Sequence, residues 1–253
     1  TRSLCDWSSD VCSSDLVKRE VTRVVTPGTI TDEELLDPAA CNYLASVIAN
    51  DDQSRFGIAW VDVSTGRFAA GEFSSLDDEL SRIQPSECLV CEEGANLFLG
   101  DPGMMTTSRP GWSFGLNESE GALCQHFSIK TLDGFGFDLQ VDRLAIRAAG
   151  AILSYLQETQ RNSLQQIDRL EKHQSGNSLE IDQATRRSLE ISRTLRDGSR
   201  EGSLLGAIQR TKSPMGSRLF ADWLNNPLTD LKEIEARLDA VDEFLREIGR
   251  AHV

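Results

Sequence analysis

Apolar and polar positions change their spacing near residue 141, and that change divides the chain. Upstream, short apolar runs alternate with turn residues. Residues 42–49 (NYLASVIA) fit a helix or a strand by periodicity alone. Asn50-Asp51-Asp52-Gln53 follows at once, then FGIAWVDV (56–63), Ser64-Thr65-Gly66 and RFAAGEF (67–73). Three short segments with tight turns between them predict an antiparallel meander, so 42–49 is assigned as a strand. Leu76, Leu80 and Ile83 share one side of a helix over 76–84, and ECLVC (87–91) after Pro85 is a further strand. Before the meander, Val21, Val24 and Val25 are extended, and Thr26-Pro27-Gly28-Thr29 forces a turn. Thr31 with Glu34 is a capping-box pair that predicts a short helix over 32–36, ended by Asp37-Pro38. Residues 100–120 are rich in Gly, Pro and Ser and are assigned mostly to loop.

From Val141 the period becomes helical. Val141, Leu144, Ala145, Ala148, Ile152, Tyr155, Leu156 and Thr159 fall on one stripe. Residues 181–196, 203–210, 216–224 and 231–247 follow as helices, with breaks at Ser213-Pro214 and Asn226-Pro227. The expectation is an α/β unit with a mixed sheet, then an all-α segment whose helices have no strands to pack on.

Composition narrows the class. Apolar residues make up 39% and charged residues 26%, which excludes a collagen-like or disordered chain. No apolar run approaches the roughly 20 residues that span a bilayer, so no membrane partner is expected. Six cysteines, irregularly placed, do not make a disulfide scaffold, and a reducing cytoplasmic setting is expected. The net charge of −14 is uneven: residues 1–160 carry 11 Lys and Arg against 25 Asp and Glu, whereas 161–253 carry 15 of each. The first part therefore lacks the clustered cations of a phosphate-gripping surface. Seven arginines of the second part (Arg186, Arg187, Arg193, Arg196, Arg200, Arg210, Arg218) are expected on solvated helix faces, paired with nearby carboxylates. Residues 1–17, holding Cys5 and Cys12, have no sustained period and repeat Ser-Ser-Asp. They lack the apolar core of a signal peptide. Like 248–253, they resemble translated adaptor sequence and are expected to be non-native tails.

No catalytic constellation emerges. Cys88 and Cys91 form a CxxC, but positions three apart on a strand face opposite ways, and zinc needs four ligands. Gly206-Ala-Ile-Gln-Arg-Thr211-Lys212-Ser213 misses a phosphate-binding P-loop by one residue, with Thr211 where the glycine before the lysine belongs. Asp62 sits on a strand as a metal-binding Asp does in ribonuclease-H-like nucleases, yet Glu72, Glu79 and Glu92 have no spacing that forces them toward it. The histidines (His126, His173, His252) form no triad or metal cluster. No catalytic, cofactor-binding or metal residue is assigned, and DNA-contacting residues stay unassigned.

Several short motifs, weak singly, are specific in their order. They are Arg19-Glu20-Val21, Val24-Val25-Thr26-Pro27-Gly28-Thr29, Asp62-Val63-Ser64-Thr65-Gly66-Arg67-Phe68, Gly134-Phe135-Gly136 and Tyr155-Leu-Gln-Glu-Thr-Gln160. Asp182-Gln-Ala-Thr-Arg-Arg187-Ser-Leu-Glu190, Pro214-Met-Gly-Ser-Arg-Leu219, Trp223-Leu-x-x-Pro227-Leu and Arg237-Leu-Asp-Ala-Val241 complete the set. Together they resemble the MutS DNA mismatch-repair proteins over residues 18–245, with Ser188 where the family usually has Asn.

The resemblance implies a linker from an absent mismatch-reading domain (18–37) and a ribonuclease-H-like connector domain without nuclease function (38–160). The start of an all-α core or lever domain (161–247) would follow. It implies a non-enzymatic fragment that couples mismatch recognition to an ATPase and contacts MutL. The longer parent would be a homodimer that binds mismatched double-stranded DNA and uses ATP and Mg. The alternative is a free-standing ribonuclease-H-like nuclease.

Overall fold

The computed structural model describes residues 24–32, 34–93, 104–160, 164–173, 176 and 178–250. The expected tail 1–17, His252 and Arg19-Glu20-Val21 lie outside the described residues. A six-stranded sheet forms the centre, in the order β5-β4-β1-β2-β3-β6. The first strands are β1 (Tyr43–Ala49), β2 (Phe56–Asp62) and β3 (Arg67–Phe73), which pair antiparallel as the predicted meander. β4 (Glu87–Cys91) runs parallel to β1, and β5 (Met105–Arg109) parallel to β4. The ambiguity of 42–49 has a physical cause: β1 is central and buried on both faces, so its sequence is a continuous apolar run rather than an alternation.

The two faces carry separate cores. On one, Leu44, Val61, Phe68 and Leu89 pack under α2 (Leu116–Phe127) and α3 (Arg143–Thr159). The alanines of α3 let it lie close, and Gly57 of β2 is so tight against Leu144 that an added Cβ would sit 2.2 Å from the Leu144 carbonyl oxygen. On the other face, Ala45, Val47, Ile58, Trp60 and Phe73 pack with α1 (Leu76–Ile83). Ser75 caps α1 through the Asp78 amide, and Asp77, Asp78 and Glu79 sit favourably at its positive end.

Several expectations are corrected. Residues 34–36 form a turn, not a helix, and residue 33 lies outside the described residues: the Asp32 carboxylate takes the Glu34 amide and its carbonyl takes Leu35 N–H. A reciprocal capping pair forms earlier, between Thr26 and Thr29 around the 3-10 turn Pro27–Thr29. Of residues 100–120, assigned mostly to loop, 100–103 lie outside the described residues and most of the rest fall in ordered elements: β5, a 3-10 turn (Gly111–Phe114) and the start of α2. The polar sequence of β5 hid it, because an edge strand needs no buried face to be held by backbone pairing.

The second half is not all-α. β6 (Glu171–Lys172) extends the sheet parallel to β3, and Ser178 bridges to Leu228. The helix expected over 181–196 is only α4 (Gln183–Ser188); Glu190 then takes a left-handed φ of 48° and the chain turns away. α5 (Leu204–Ile208) is shorter than its predicted span, while α6 (Pro214–Asn225) begins earlier because Ser213 caps it and Pro214 opens it. α7 runs from Leu231 to Arg250, through part of the expected closing tail.

Candidate functional site

The two parts of the chain meet along a polar seam on the Trp60 face of the sheet. β3 brings Arg67 and α1 brings Arg82; α6 brings Asp222, and Asn226 caps its C-terminal end. Arg67 Nη1 pairs with Asp222 Oδ2 at 3.1 Å. Arg82 Nη1 donates to Asn226 Oδ1 at 2.9 Å, its Nε donates to Glu79 at 2.7 Å, and its guanidinium lies 5.0 Å from the centre of the Trp60 ring. Further along, Asp78 accepts the Gln183 amide at 2.7 Å, Gln84 donates to Ser192, and Arg218 donates to the Pro38 carbonyl.

A cleft of about 230 Å³ opens in this seam, with Trp60, Arg67, Arg82, His173, Asp222 and Arg237 in its walls. His173 meets Trp60 edge-on with ring centres 5.5 Å apart. Burial, followed by the Arg82 and Arg67 charges, pushes its pKa down from 6.5 to about 4. The imidazole is neutral at pH 7 and joins the aromatic floor. Such an interface, with paired charges and few apolar contacts, can part and re-form at small cost compared with a hydrophobic one.

A second polar cluster holds the entry to the sheet. Glu87, fully buried at the start of β4, accepts the Gly28 amide at 3.0 Å and the hydroxyls of Thr107 and Tyr155 at 2.8 Å each. Gln160 donates to the Thr29 carbonyl, and Val24 N–H to that of Thr159. Burial pushes the Tyr155 phenol up to about 12.

The residues singled out in the sequence are placed as follows. Cys88 is buried on the Trp60 face, while Cys91 packs on the opposite face, so a strand separates the two thiols. Asp62 is buried; one carboxylate oxygen takes the Ser64 amide and hydroxyl, closing the turn into β3. Glu72 accepts Leu144 N–H and Glu79 pairs with Arg82, while Glu92 is exposed beyond the end of β4. Among the described residues, no three His, Cys, Asp or Glu side chains gather as metal ligands would. His126 bonds the Ile167 carbonyl.

The Gly206–Ser213 stretch does not fit a phosphate cradle. Gly206 lies in α5, preceded by a turn rather than a strand, and a Cβ there would sit 2.3 Å from the Arg200 carbonyl oxygen. Its glycine serves packing. The expected pairing of the seven arginines is corrected: none makes an ion pair with another described residue. Arg186, Arg193, Arg210 and Arg218 donate to backbone carbonyls and Arg200 to the Gln209 side chain, which fixes loops between short helices.

Sequence reasoning missed Glu87, Arg82, Asp222 and Asn226. A signal existed for Glu87, a charged residue opening an otherwise apolar strand. None existed for Asp222 or Asn226, whose partners lie more than a hundred residues away.

Comparison with known proteins matches this sequence to one family. The model for MutS domain II covers residues 42–168, and that for MutS domain III covers 184–253. DNA mismatch repair protein MutS of Rhodopirellula baltica is 48% identical over 266 residues, covering 96% of this chain and 30% of that protein. MutS of Thermosynechococcus vestitus is 40% identical (96% and 29% covered), and that of Myxococcus xanthus 42% (90% and 26%). The chain thus spans under a third of the length of these relatives. With both domain models matched in order and the seam lying between them, the chain belongs to the MutS family of DNA mismatch-repair proteins.

Proposed function

We propose that this chain is the connector and the first lever segment of a mismatch-repair MutS protein, passing motion between a mismatch-reading part and an ATPase. The observation that carries the reading is the seam. It joins the segment matching domain II to the segment matching domain III through Arg67–Asp222 and Arg82–Asn226, contacts that can break and re-form as units. A coupling element needs two arrangements that both sites bias, and a polar interface held by a few such contacts is suited to supply the second. We take 38–160 as the connector and 161–247 as the start of the lever, with β6 as the strand the lever lends to the sheet.

The sheet supports a ribonuclease-H-like connector: three antiparallel strands, then β4 and β5 added parallel to β1. Asp62, spent on closing a turn, is a structural residue in this reading and the fragment is not an enzyme. MutL contact falls to the acidic connector surface. Mismatched DNA, ATP with Mg, and homodimer formation belong to the longer parent, which works in the cytoplasm.

A chimera tests this. Residues 24–246 would replace the matching segment of the Rhodopirellula baltica protein, and ATP turnover would be followed with matched and mismatched duplexes. Mismatch-dependent turnover is expected in the chimera and should weaken in Arg82→Met. A folded chimera whose turnover ignores the mismatch, or whose response is unchanged by Arg82→Met, would overturn the proposal.

A further inference from the structure

The cluster around Glu87 is unusual in its charge accounting. The carboxylate is wholly buried, yet its three donors are all neutral: the Gly28 amide, the Thr107 hydroxyl and the Tyr155 hydroxyl. Arg109, 5.4 Å from the centre of the Tyr155 ring, is paired with Glu158, and no described cation pairs with Glu87. A buried carboxylate without a cation depends on every donor it has, because each lost bond leaves part of a charge unsolvated.

Two of the donors come from the sheet and from α3. The third comes from residues 24–29, which lie outside the strands of the sheet. They are fixed by the Gly28 amide, by the bond from Val24 N–H to Thr159, by Asn42 donating to the Pro27 carbonyl, and by Gln160 donating to Thr29. The fit is also steric. A Cβ on Gly28 would lie 2.9 Å from the Glu87 Cβ and 3.0 Å from Leu44 Cδ1, so the backbone approaches the carboxylate only because residue 28 is glycine. Thr26 and Thr29 bond each other and place the Thr26 hydroxyl 3.4 Å from Tyr155 Oη.

We propose that Glu87 and Tyr155 form a latch that holds residues 24–29 against the sheet, and that breaking it releases this segment as a unit while the sheet stays folded. The proposal follows from the Glu87 contacts alone. Its use, delivering movement of the preceding chain to the C-terminal end of α3, rests on the connector reading. Tyr155 and Gln160 sit on that end, so a pull on Thr29 or Thr26 is felt by the last turn of α3. The stretch 164–173 that follows leads into β6 and His173 on the seam.

Amide hydrogen exchange on the whole chain tests the latch. Glu87→Leu keeps the volume and removes both acceptor oxygens. Losing a bond to a charged acceptor corresponds to roughly a ten- to hundredfold faster exchange at Gly28 and Thr29. Amides of β1 and β2, such as Leu44 and Ala59, should keep their native rates. Glu87→Gln should fall between native and Glu87→Leu, roughly three- to tenfold faster than native. Its amide oxygen can take Gly28 N–H while its NH2 turns to the Thr107 and Tyr155 hydroxyls, which can accept. Tyr155→Phe, which leaves the carboxylate in place, gives an independent reading and should release the segment by an intermediate amount. Unchanged exchange at Gly28 in both Glu87→Leu and Tyr155→Phe would overturn the latch. So would loss of protection spreading equally through β1 and β2. These rates are independent of mismatch-dependent turnover, so failure of the latch and failure of the connector reading are distinguishable.

Discussion

Lowering the pH should weaken the seam through His173. The ring is packed against Trp60 and Phe73, with centres 5.5 and 5.6 Å away. Burial first, then Arg82 and Arg67, hold its pKa at about 4 against an ordinary 6.5. Because the folded value is depressed, the unfolded chain takes up a proton between pH 6.5 and 4 that the folded chain refuses. Stability contributed by neutral His173 is therefore complete above pH 6.5 and declines as pH falls through that window. At pH 7.5 the effect is close to zero. At pH 5 it amounts to a loss of about 2 kcal/mol, approaching about 3 kcal/mol below pH 4.

The assay is urea unfolding of the native chain and of His173→Phe at pH 7.5 and pH 5.0. Phenylalanine keeps the aromatic packing but cannot titrate. Losses from the carboxylates are common to both proteins and cancel in the difference. The native chain should lose about 2 kcal/mol more than the variant across the interval. A ring titration followed by NMR should place the His173 midpoint well below that of an exposed histidine, and Arg82→Met should raise it. Equal losses in the two proteins, or a His173 midpoint near 6.5, would refute the reasoning.

Gly66→Ala should destabilise the chain by at least about 2 kcal/mol. Gly66 has φ 78°, and a Cβ would lie 1.9 Å from the Gln166 carbonyl oxygen. Gly134→Ala, with open space around it, should be nearly neutral, and equal melting temperatures for the two would show that the Gly66 turn relaxes freely. Calorimetric titration with ATP and magnesium should show no saturable binding, since α5 occupies the place of a cradle; binding lost in Lys212→Ala would contradict this. Residues 178–246 should exchange their amides faster than β1–β3 and should self-associate. Leu219, Leu238, Phe244 and Leu245 are exposed there, and burying a Leu-sized side chain is worth about 1.5–3 kcal/mol. Equal protection of both regions in a chain that sediments as a monomer would count against that expectation.

Local chemistry determined much of this protein before any tertiary contact. The meander over 43–73 follows from short apolar runs broken by Asn50-Asp51-Asp52-Gln53 and Ser64-Thr65-Gly66. α3 follows from its helical stripe, and the separation of Cys88 from Cys91 from the two-residue strand period. The near-miss P-loop was legible as such in the sequence, from Thr211 in place of a glycine and from the lack of an apolar strand before it. Other features had no local cause. β5 is polar, and β6 is two residues long; both exist because a neighbouring strand offered an unpaired edge. The predicted helix over 181–196 broke because Arg186 turns inward to bond the end of α6, and the chain then reverses at Glu190. The candidate sites are of this second kind. Arg67 and Asp222, Arg82 and Asn226, and Glu87 and Gly28 lie far apart in sequence, and nothing local pairs one with the other. Only folding decides which polar groups lose water together, and burial of that kind makes a seam or a latch out of side chains that no local pattern pairs.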